Sequence, residues 1–352
     1  MIITQTPYRI SLFGGGTDYP DWYLRYGGQV LSTTIDKYVY ISCRYLPPFF
    51  DHKLRLVYSQ VEACKTANQL EHPAAREILK HFNISDGLEI HYDGDLPSRS
   101  GVGSSSAFSV GLISALHRLN NYRISAEQLA TEAIYVEQKL IGESVGSQDQ
   151  VNAAHGGFNS ISFRQDGSIE VTPIRASEER KGLLNSRLML FYTGIMRTAE
   201  TISVTYATDT QRNAEHLKRM QTIATEAQCV IEGNASIDNI GELLHESWLE
   251  KQKLSDIISN RRVDLIYRSA KEAGALGGKL CGAGGGGMIL LYVPQEKQAD
   301  VRNALSSLLY VPFKFSADGC KVIFANKQER YQNIQSNKFS GIEEFIELSD
   351  LD

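Results

Sequence analysis

Leu96–Ala107 reads LPSRSGVGSSSA. It follows a short run of β-formers, Leu88–Tyr92 (LEIHY), and the turn-rich stretch 93–103 leads into Ser104–Asn120. There Phe108, Leu112, Ala115, Leu116 and Leu119 share one helical stripe. The segment is therefore a turn joining a strand to a helix. Gly101 and Gly103 remove side chains, so backbone N–H groups can approach an anion closely. The helix that opens within the serines adds free N–H groups and the positive end of its dipole. The hydroxyls of Ser104, Ser105 and Ser106 can donate to phosphate oxygens or bind Mg²⁺. A flexible Gly/Ser turn with a serine cap has the same appearance. The Walker A pattern is met nowhere: Gly278-Lys279 comes near it, but Leu280 stands where a hydroxyl residue is required.

Two further glycine clusters flank this loop in the chain. Phe13–Asp18 (FGGGTD) lets a backbone close around a ligand and presents one carboxylate, Asp18, suited to the vicinal hydroxyls of a sugar. A tight turn capped by Asp18 is the alternative. Lys279–Met288 (KLCGAGGGGM) contains a formal GxGxxG at Gly282–Gly287. A dinucleotide fingerprint should open a helix, whereas the strand-like Met288–Val293 (MILLYV) follows at once. The cluster reads as the backbone-lined wall of a pocket, or as a bend between packed elements. Glu137 lies on a helix predicted over Ala126–Ile141, with Ser125 as N-cap and Gln128 completing a capping box. Asp149 follows in GSQDQ. Phosphoryl transfer needs one carboxylate for a metal and one near the attacking hydroxyl, which this pair would supply. Solvated carboxylates at such a spacing are also common.

Around these motifs, Lys37–Arg44 reads as a strand, Ser160–Phe163 and Ile169–Pro173 as a hairpin about Asp166-Gly167, and Arg187–Tyr192 as another strand. The stretch from Ser203 to about Ala273 is mainly helical in pattern. This order predicts an α+β fold with two lobes, residues 1–180 and 181–352, dividing near 175–185. A length of 352 residues suits two domains or one large two-lobed fold. The net charge of −5 gives no general drive toward nucleic acid or an anionic membrane. The five cysteines form no CxxC pair and are odd in number, which reads as reduced thiols of a cytoplasmic protein. No apolar run has the length of a membrane span, and the N-terminal MIITQTPYRISLF lacks the pattern of a signal peptide.

Together the three glycine segments resemble the motifs of the GHMP kinases (galactokinase, homoserine kinase, mevalonate kinase, phosphomevalonate kinase). Pro7–Asp18 (PYRISLFGGGTD) resembles motif one, Pro97–Ala107 (PSRSGVGSSSA) motif two and Lys279–Gly287 (KLCGAGGGG) motif three, in that order. The resemblance spans nearly the whole chain. It implies a two-lobed α+β fold with the active site in the cleft between the lobes, and ATP and Mg²⁺ as cofactors. The nucleotide phosphates would fall to Pro97, Ser100, Gly101, Val102, Gly103, Ser104, Ser105 and Ser106. Ser105 and Glu137 would hold Mg²⁺. Asp149 corresponds to the catalytic aspartate, which orients or deprotonates the hydroxyl. Arg9 would pair with it and keep it ionised. Gly15, Gly16, Thr17, Asp18 and Gly284 would line the substrate.

One departure bears on the substrate. Galactokinases and mevalonate kinases carry Glu-His where this chain has Gly15-Gly16. The GGGTD form, with GESVGSQDQ at 142–150, is similar to the bacterial D-glycero-D-manno-heptose 7-phosphate 1-kinases and to the kinase part of L-fucokinases. This implies phosphorylation of an anomeric hydroxyl, on a heptose 7-phosphate or on an unphosphorylated sugar such as L-fucose or mannose. A 7-phosphate would need a cationic pocket, for which Arg197 (in YTGIMRTAET) and Arg99 are candidates. An inactive GHMP-fold binding protein is the alternative from another class, and a decarboxylase of a mevalonate diphosphate is a further one. A homodimer is left open, and the resemblance gives no role to nucleic acid or membrane.

Overall fold

The structure, a computed structural model, describes residues 1–47, 49–84, 87–195 and 213–326. Its first sheet grows from a long antiparallel pair, β1 (Ile2–Phe13) and β2 (Gly28–Tyr45). Gly14 ends β1, and α1 (Pro20–Tyr26) separates the two strands, with proline in its first turn. Then come β3 (Leu54–Val57), β4 (Val61–Cys64), α2 (Pro73–His81), β5 (Leu88–Gly94), α3 (Ser104–Leu119) and α4 (Ala126–Tyr135). A π-helical turn over Val136–Ile141 leads to α5 (Gln148–His155), β6 (Phe158–Phe163) and β7 (Ile169–Pro173). Next, α6 (Glu178–Arg187) and β8 (Leu188–Tyr192) pass toward α7 (Ala214–Glu232), α8 (Asn239–Gln252) and α9 (Arg261–Glu272). The chain continues through β9 (Gly277–Leu280), β10 (Met288–Tyr292), α10 (Gln298–Ala304), β11 (Leu309–Val311), β12 (Phe315–Ser316) and β13 (Lys321–Ala325).

Nine strands form the first sheet, along the path β13-β1-β2-β5-β3-β4, with β6 and β12 on the other half of β2 and β7 on β6. The second sheet, β11-β8-β10-β9, is antiparallel throughout. The connection α6 runs from the last hairpin of the first sheet to β8 of the second, while β12 and β13 return to the first. α3 packs on β1 and β2 with most of its length buried.

The predicted hairpin forms with Phe163 opposite Ile169 and Gly167 at φ +86°, and the capping box of α4 is made in both directions. Two expectations change, and one strand is new. The helix predicted over 126–141 stops at Tyr135, and the π turn carries residues 136–141, inserting extra backbone where Glu137 sits. The strand predicted over 37–44 is only the far half of β2. β1 was not anticipated. It is buried along nearly its whole length and so shows no alternation, and Pro7 argues against a central strand. Pro7 is tolerated because β13 pairs only Ile2–Gln5, and the register with β2 shifts between Pro7 and Arg9.

Gly14 has a stringent backbone requirement. Its φ is +78°, and a Cβ there would lie 1.9 Å from the carbonyl oxygen of Gln29. Gly14→Ala is expected to destabilise the fold by at least about 3 kcal/mol, left-handed strain and overlap combined. Denaturant unfolding of the variant measures this, and a loss below 1 kcal/mol, on the order of a surface change, would refute it.

Candidate active site

Arg9, on β1, brings three separate segments together. Its backbone N–H donates to the carbonyl of Val102 (3.0 Å) and its Nη1 to that of Gly101 (2.7 Å). Nε and Nη2 donate to the two carboxylate oxygens of Asp149, each at 2.7 Å. The guanidinium is buried, whereas the Asp149 side chain keeps 25% exposure. Burial opposes the charge on Arg9, but the Asp149 carboxylate outweighs it and holds the pKa above its ordinary value. Asp149 thus sits in the first turn of α5 as a fixed acceptor with one face open.

The phosphate loop lies against this pair. Gly101 and Gly103 have φ of +87° and +82°, and Gly103 caps α3 from the left-handed region. A Cβ on Gly103 would meet Arg9 Cγ at 3.2 Å. Pro97 and Arg99 are exposed, and Val102 and Ser100 are buried. The Ser104 hydroxyl accepts from Arg99 N–H (3.2 Å), Ser105 is exposed, and Ser106 Oγ donates to Glu137 Oε2 at 2.9 Å. Motif three closes the loop from the other side. Met288 N–H donates to the Ser100 carbonyl (2.8 Å), and a Cβ at Gly287 would lie 2.3 Å from that oxygen. Gly284, at φ +130°, is buried against the backbone of Ile258, so its missing side chain is explained by packing.

Glu137 is buried and its Oε2 accepts from Ser106 and from Gln150 Nε2. Burial pushes its pKa up to about 7. Among the described residues its Oε1 accepts no hydrogen bond of good geometry, although the Ser109 hydroxyl lies beside the carboxylate. A buried carboxylate oxygen left without a donor is costly unless a cation or ligand meets it. That oxygen, on a carboxylate bonded to Ser106 in the first turn of α3, fits Mg²⁺, which takes few protein oxygens and completes its shell with water and phosphate. Among the described residues no group of three or more His, Cys, Asp or Glu side chains could hold a metal.

Within motif one, Thr17 and Asp18 turn inward. Thr17 Oγ1 donates to the Gly14 carbonyl (2.8 Å) and accepts from Gln29 N–H (3.1 Å). Asp18 is 1% exposed; its carboxylate accepts from Gly16 N–H (2.9 Å) and Gln148 N–H (3.3 Å). Burial raises its pKa. Asp18 therefore ties motif one to the start of α5, and Gly15 and Gly16 carry the partly exposed surface. Lys279 Nζ donates to the Leu12 carbonyl (3.1 Å), and burial pushes its pKa down to about 8. Arg197 lies outside the described residues.

Several contributors carried no sequence signal. Lys251, on α8, donates to the Leu280 and Gly282 carbonyls and anchors motif three. Gln138 donates to the Val145 carbonyl and Ser147 Oγ, fixing the 142–147 loop between Glu137 and Asp149. Gln150, Gln148 and Ser11 also line the site, and alternation along β1 from Arg9 could have indicated Ser11. Unpartnered buried polar atoms gather on these segments: Ser11 Oγ, Ser100 Oγ, Glu137 Oε1, Gln148 Oε1 and Gln150 Oε1. Such atoms are scarce in folded proteins, and these are five of the nine found among the described residues.

Comparison with known proteins agrees with this geometry. The family model for the GHMP kinase N-terminal domain matches residues 60–157, and that for the C-terminal domain matches residues 231–311. The chain is 31% identical over 335 residues to a D-glycero-alpha-D-manno-heptose 7-phosphate kinase of Campylobacter jejuni, covering 91% of this chain and 98% of that protein. It is 27% identical to a bifunctional fucokinase/GDP-fucose pyrophosphorylase of Arabidopsis thaliana, over 86% of this chain and 31% of that protein. The crystal structure of a D-glycero-D-manno-heptose 1-phosphate kinase from Bacteroides thetaiotaomicron superposes with a TM-score of 0.75 at 23% identity, covering 93% of this chain and all of the other, which shows a shared fold. Among the described residues no helix is long and apolar enough to cross a membrane.

Proposed function

The chain belongs to the GHMP kinase family, and on that premise we propose that it is an ATP-dependent sugar kinase that phosphorylates the anomeric hydroxyl of D-glycero-D-manno-heptose 7-phosphate. The product would be the 1,7-bisphosphate, a precursor of GDP-heptose for surface polysaccharide. The observation that carries the reading is Asp149, clamped by Arg9 at 2.7 Å beside the phosphate loop with one face open. The heptose is supported by the similarity to the Campylobacter jejuni enzyme. The reaction belongs in the cytoplasm, where ATP is supplied, in a cleft between a lobe built on the nine-stranded sheet and one built on the four-stranded sheet.

In this mechanism the N–H groups of Gly101, Gly103 and the first turn of α3 receive the ATP phosphates. Ser105 and Glu137 would hold Mg²⁺, which supplies charge neutralisation on the phosphate oxygens. Asp149 accepts the hydrogen bond of the sugar hydroxyl, aligns its oxygen on the γ-phosphorus and takes the proton as the bond to ADP breaks. Arg9 holds Asp149 in place through both carboxylate oxygens. With a loose transition state, alignment contributes more than basicity. Asp18 acts from beneath, by holding the Gly15–Gly16 surface against α5.

A second reading, an unphosphorylated sugar such as L-fucose, is favoured by the Arabidopsis thaliana relative. ADP release measured over a panel of heptose 7-phosphate, heptose, L-fucose and mannose separates the two. The expected result is the highest kcat/KM for the heptose 7-phosphate. A higher value for any unphosphorylated sugar removes the heptose reading.

A further inference from the structure

Gly14, Gly15 and Gly16 are consecutive, but the fold demands only two of them. Gly14 adopts φ +78° with no room for a Cβ; Gly16 adopts φ +104°, and its Cβ would press on Leu217 Cδ2 at 3.1 Å. Gly15 has no positive φ. A Cβ there would meet Ser11 Oγ at 3.4 Å and Gln148 Nε2 at 3.6 Å, ordinary van der Waals contacts. Among the described residues nothing in the packing excludes a side chain at 15, although the position is partly open to solvent.

The two neighbours are themselves incomplete. Ser11 and Gln148 are 5% and 8% exposed. Among the described residues Ser11 Oγ and Gln148 Oε1 are buried without a hydrogen-bond partner, a condition that disfavours the free site unless a ligand completes it. Both lie one step from the reacting pair. Ser11 is two residues beyond Arg9 on β1, hence on the same face, and Gln148 directly precedes Asp149.

We propose that Ser11, Gln148 and the bare backbone of Gly15 form a subsite that binds a neutral hydroxyl of the acceptor sugar. The proposal rests on the reading of the acceptor as a sugar. The unpartnered atom of Gln148 is its amide oxygen, an acceptor that needs a donor, and a hydroxyl or hydroxymethyl group supplies one where an ionised phosphate does not. The nearby cations are engaged elsewhere, Arg9 with Asp149 and Lys279 with the Leu12 carbonyl. A phosphate on the substrate would therefore be held away from this point.

The test uses the full-length enzyme and the Gly15→Ala, Ser11→Ala and Gln148→Leu variants. Initial rates are measured with sugar and ATP varied in turn, and sugar binding is measured by calorimetry without nucleotide. Each variant is expected to raise KM and Kd for the sugar about 10-fold, the scale of one lost or blocked hydrogen bond, with KM for ATP unchanged and thermal unfolding as in wild type. The subsite is overturned if sugar KM and Kd stay at wild-type values, or if KM for ATP rises in parallel. A wild-type enzyme that turns over no sugar overturns the kinase reading and this subsite with it; turnover with unaltered variants overturns the subsite alone.

Discussion

Asp149→Asn lowers kcat by at least about 100-fold, the lower range for a positioned acid–base group, with little change in KM for ATP. Both carboxylate oxygens of Asp149 receive hydrogen bonds from Arg9 at 2.7 Å, and the exposed quarter of the side chain is what remains for the sugar hydroxyl. Asparagine keeps the shape but replaces one acceptor by a donor and removes the charge. The hydroxyl then loses its partner, and the buried guanidinium faces an amide N–H. The second effect costs stability, on the order of 1–3 kcal/mol. Rates are therefore to be compared well below the melting temperature of the variant, with melting followed in parallel. A kcat within a factor of about 3 of wild type, under half a decade on the scale of these effects, removes Asp149 from the chemistry.

Glu137→Gln has a comparable effect on rate and the opposite effect on stability. Loss of the carboxylate should lower kcat/KM for MgATP at least about 100-fold, because metal-borne charge neutralisation is worth several kcal/mol, and should weaken the Mg²⁺ dependence of nucleotide binding. The stability effect follows from burial, which moves the pKa from 4.5 to about 7. Below pH 4.5 the group is protonated in both folded and unfolded chains, and no penalty exists. Between pH 4.5 and 7 the unfolded chain gains by ionising while the folded chain does not. Above pH 7 the metal-free wild type carries the whole penalty, about 3 kcal/mol for a shift of this size. The variant, with no such group, should unfold at a progressively higher temperature than metal-free wild type as pH rises from 5 to 8. Parallel melting curves across that range would show that the carboxylate is relieved by something other than a metal.

The parts of this molecule legible in its sequence are those where local chemistry is strict. Asp166-Gly167 dictates a tight turn, Ser125 and Gln128 dictate a helix start, and glycine clusters mark close backbone approach. β1 and the first half of β2 were hidden because strands covered on both sides lose alternation, and Pro7 disguised the first. The π turn at 136–141 was hidden because Val136 and Leu140 continue the apolar spacing of Leu129 and Ala133 in α4. In the site, Asp149 and Glu137 stood out from other carboxylates only through the family resemblance. The structure brings Arg9 against Asp149, and Ser106 and Gln150 against Glu137. Gln138, Gln148, Gln150 and Lys251 gave no signal, since neutral amides and a lysine holding carbonyls have no characteristic spacing. Of the residues expected to face the substrate, Thr17 donates its hydroxyl to the Gly14 carbonyl of its own turn, and Gly284 packs against the backbone of Ile258.

The pairing of β13 with Ile2–Gln5 of β1 has a consequence for biogenesis. The strand that carries Arg9 precedes its outer neighbour, Lys321–Ala325, by about three hundred residues, so the pair can form only after all the residues between them have been made. Until that neighbour arrives, β1 presents an unpaired edge that is open to association with other nascent chains. Closure of this edge is therefore a late step of folding, made through one of the most distant contacts among the described residues.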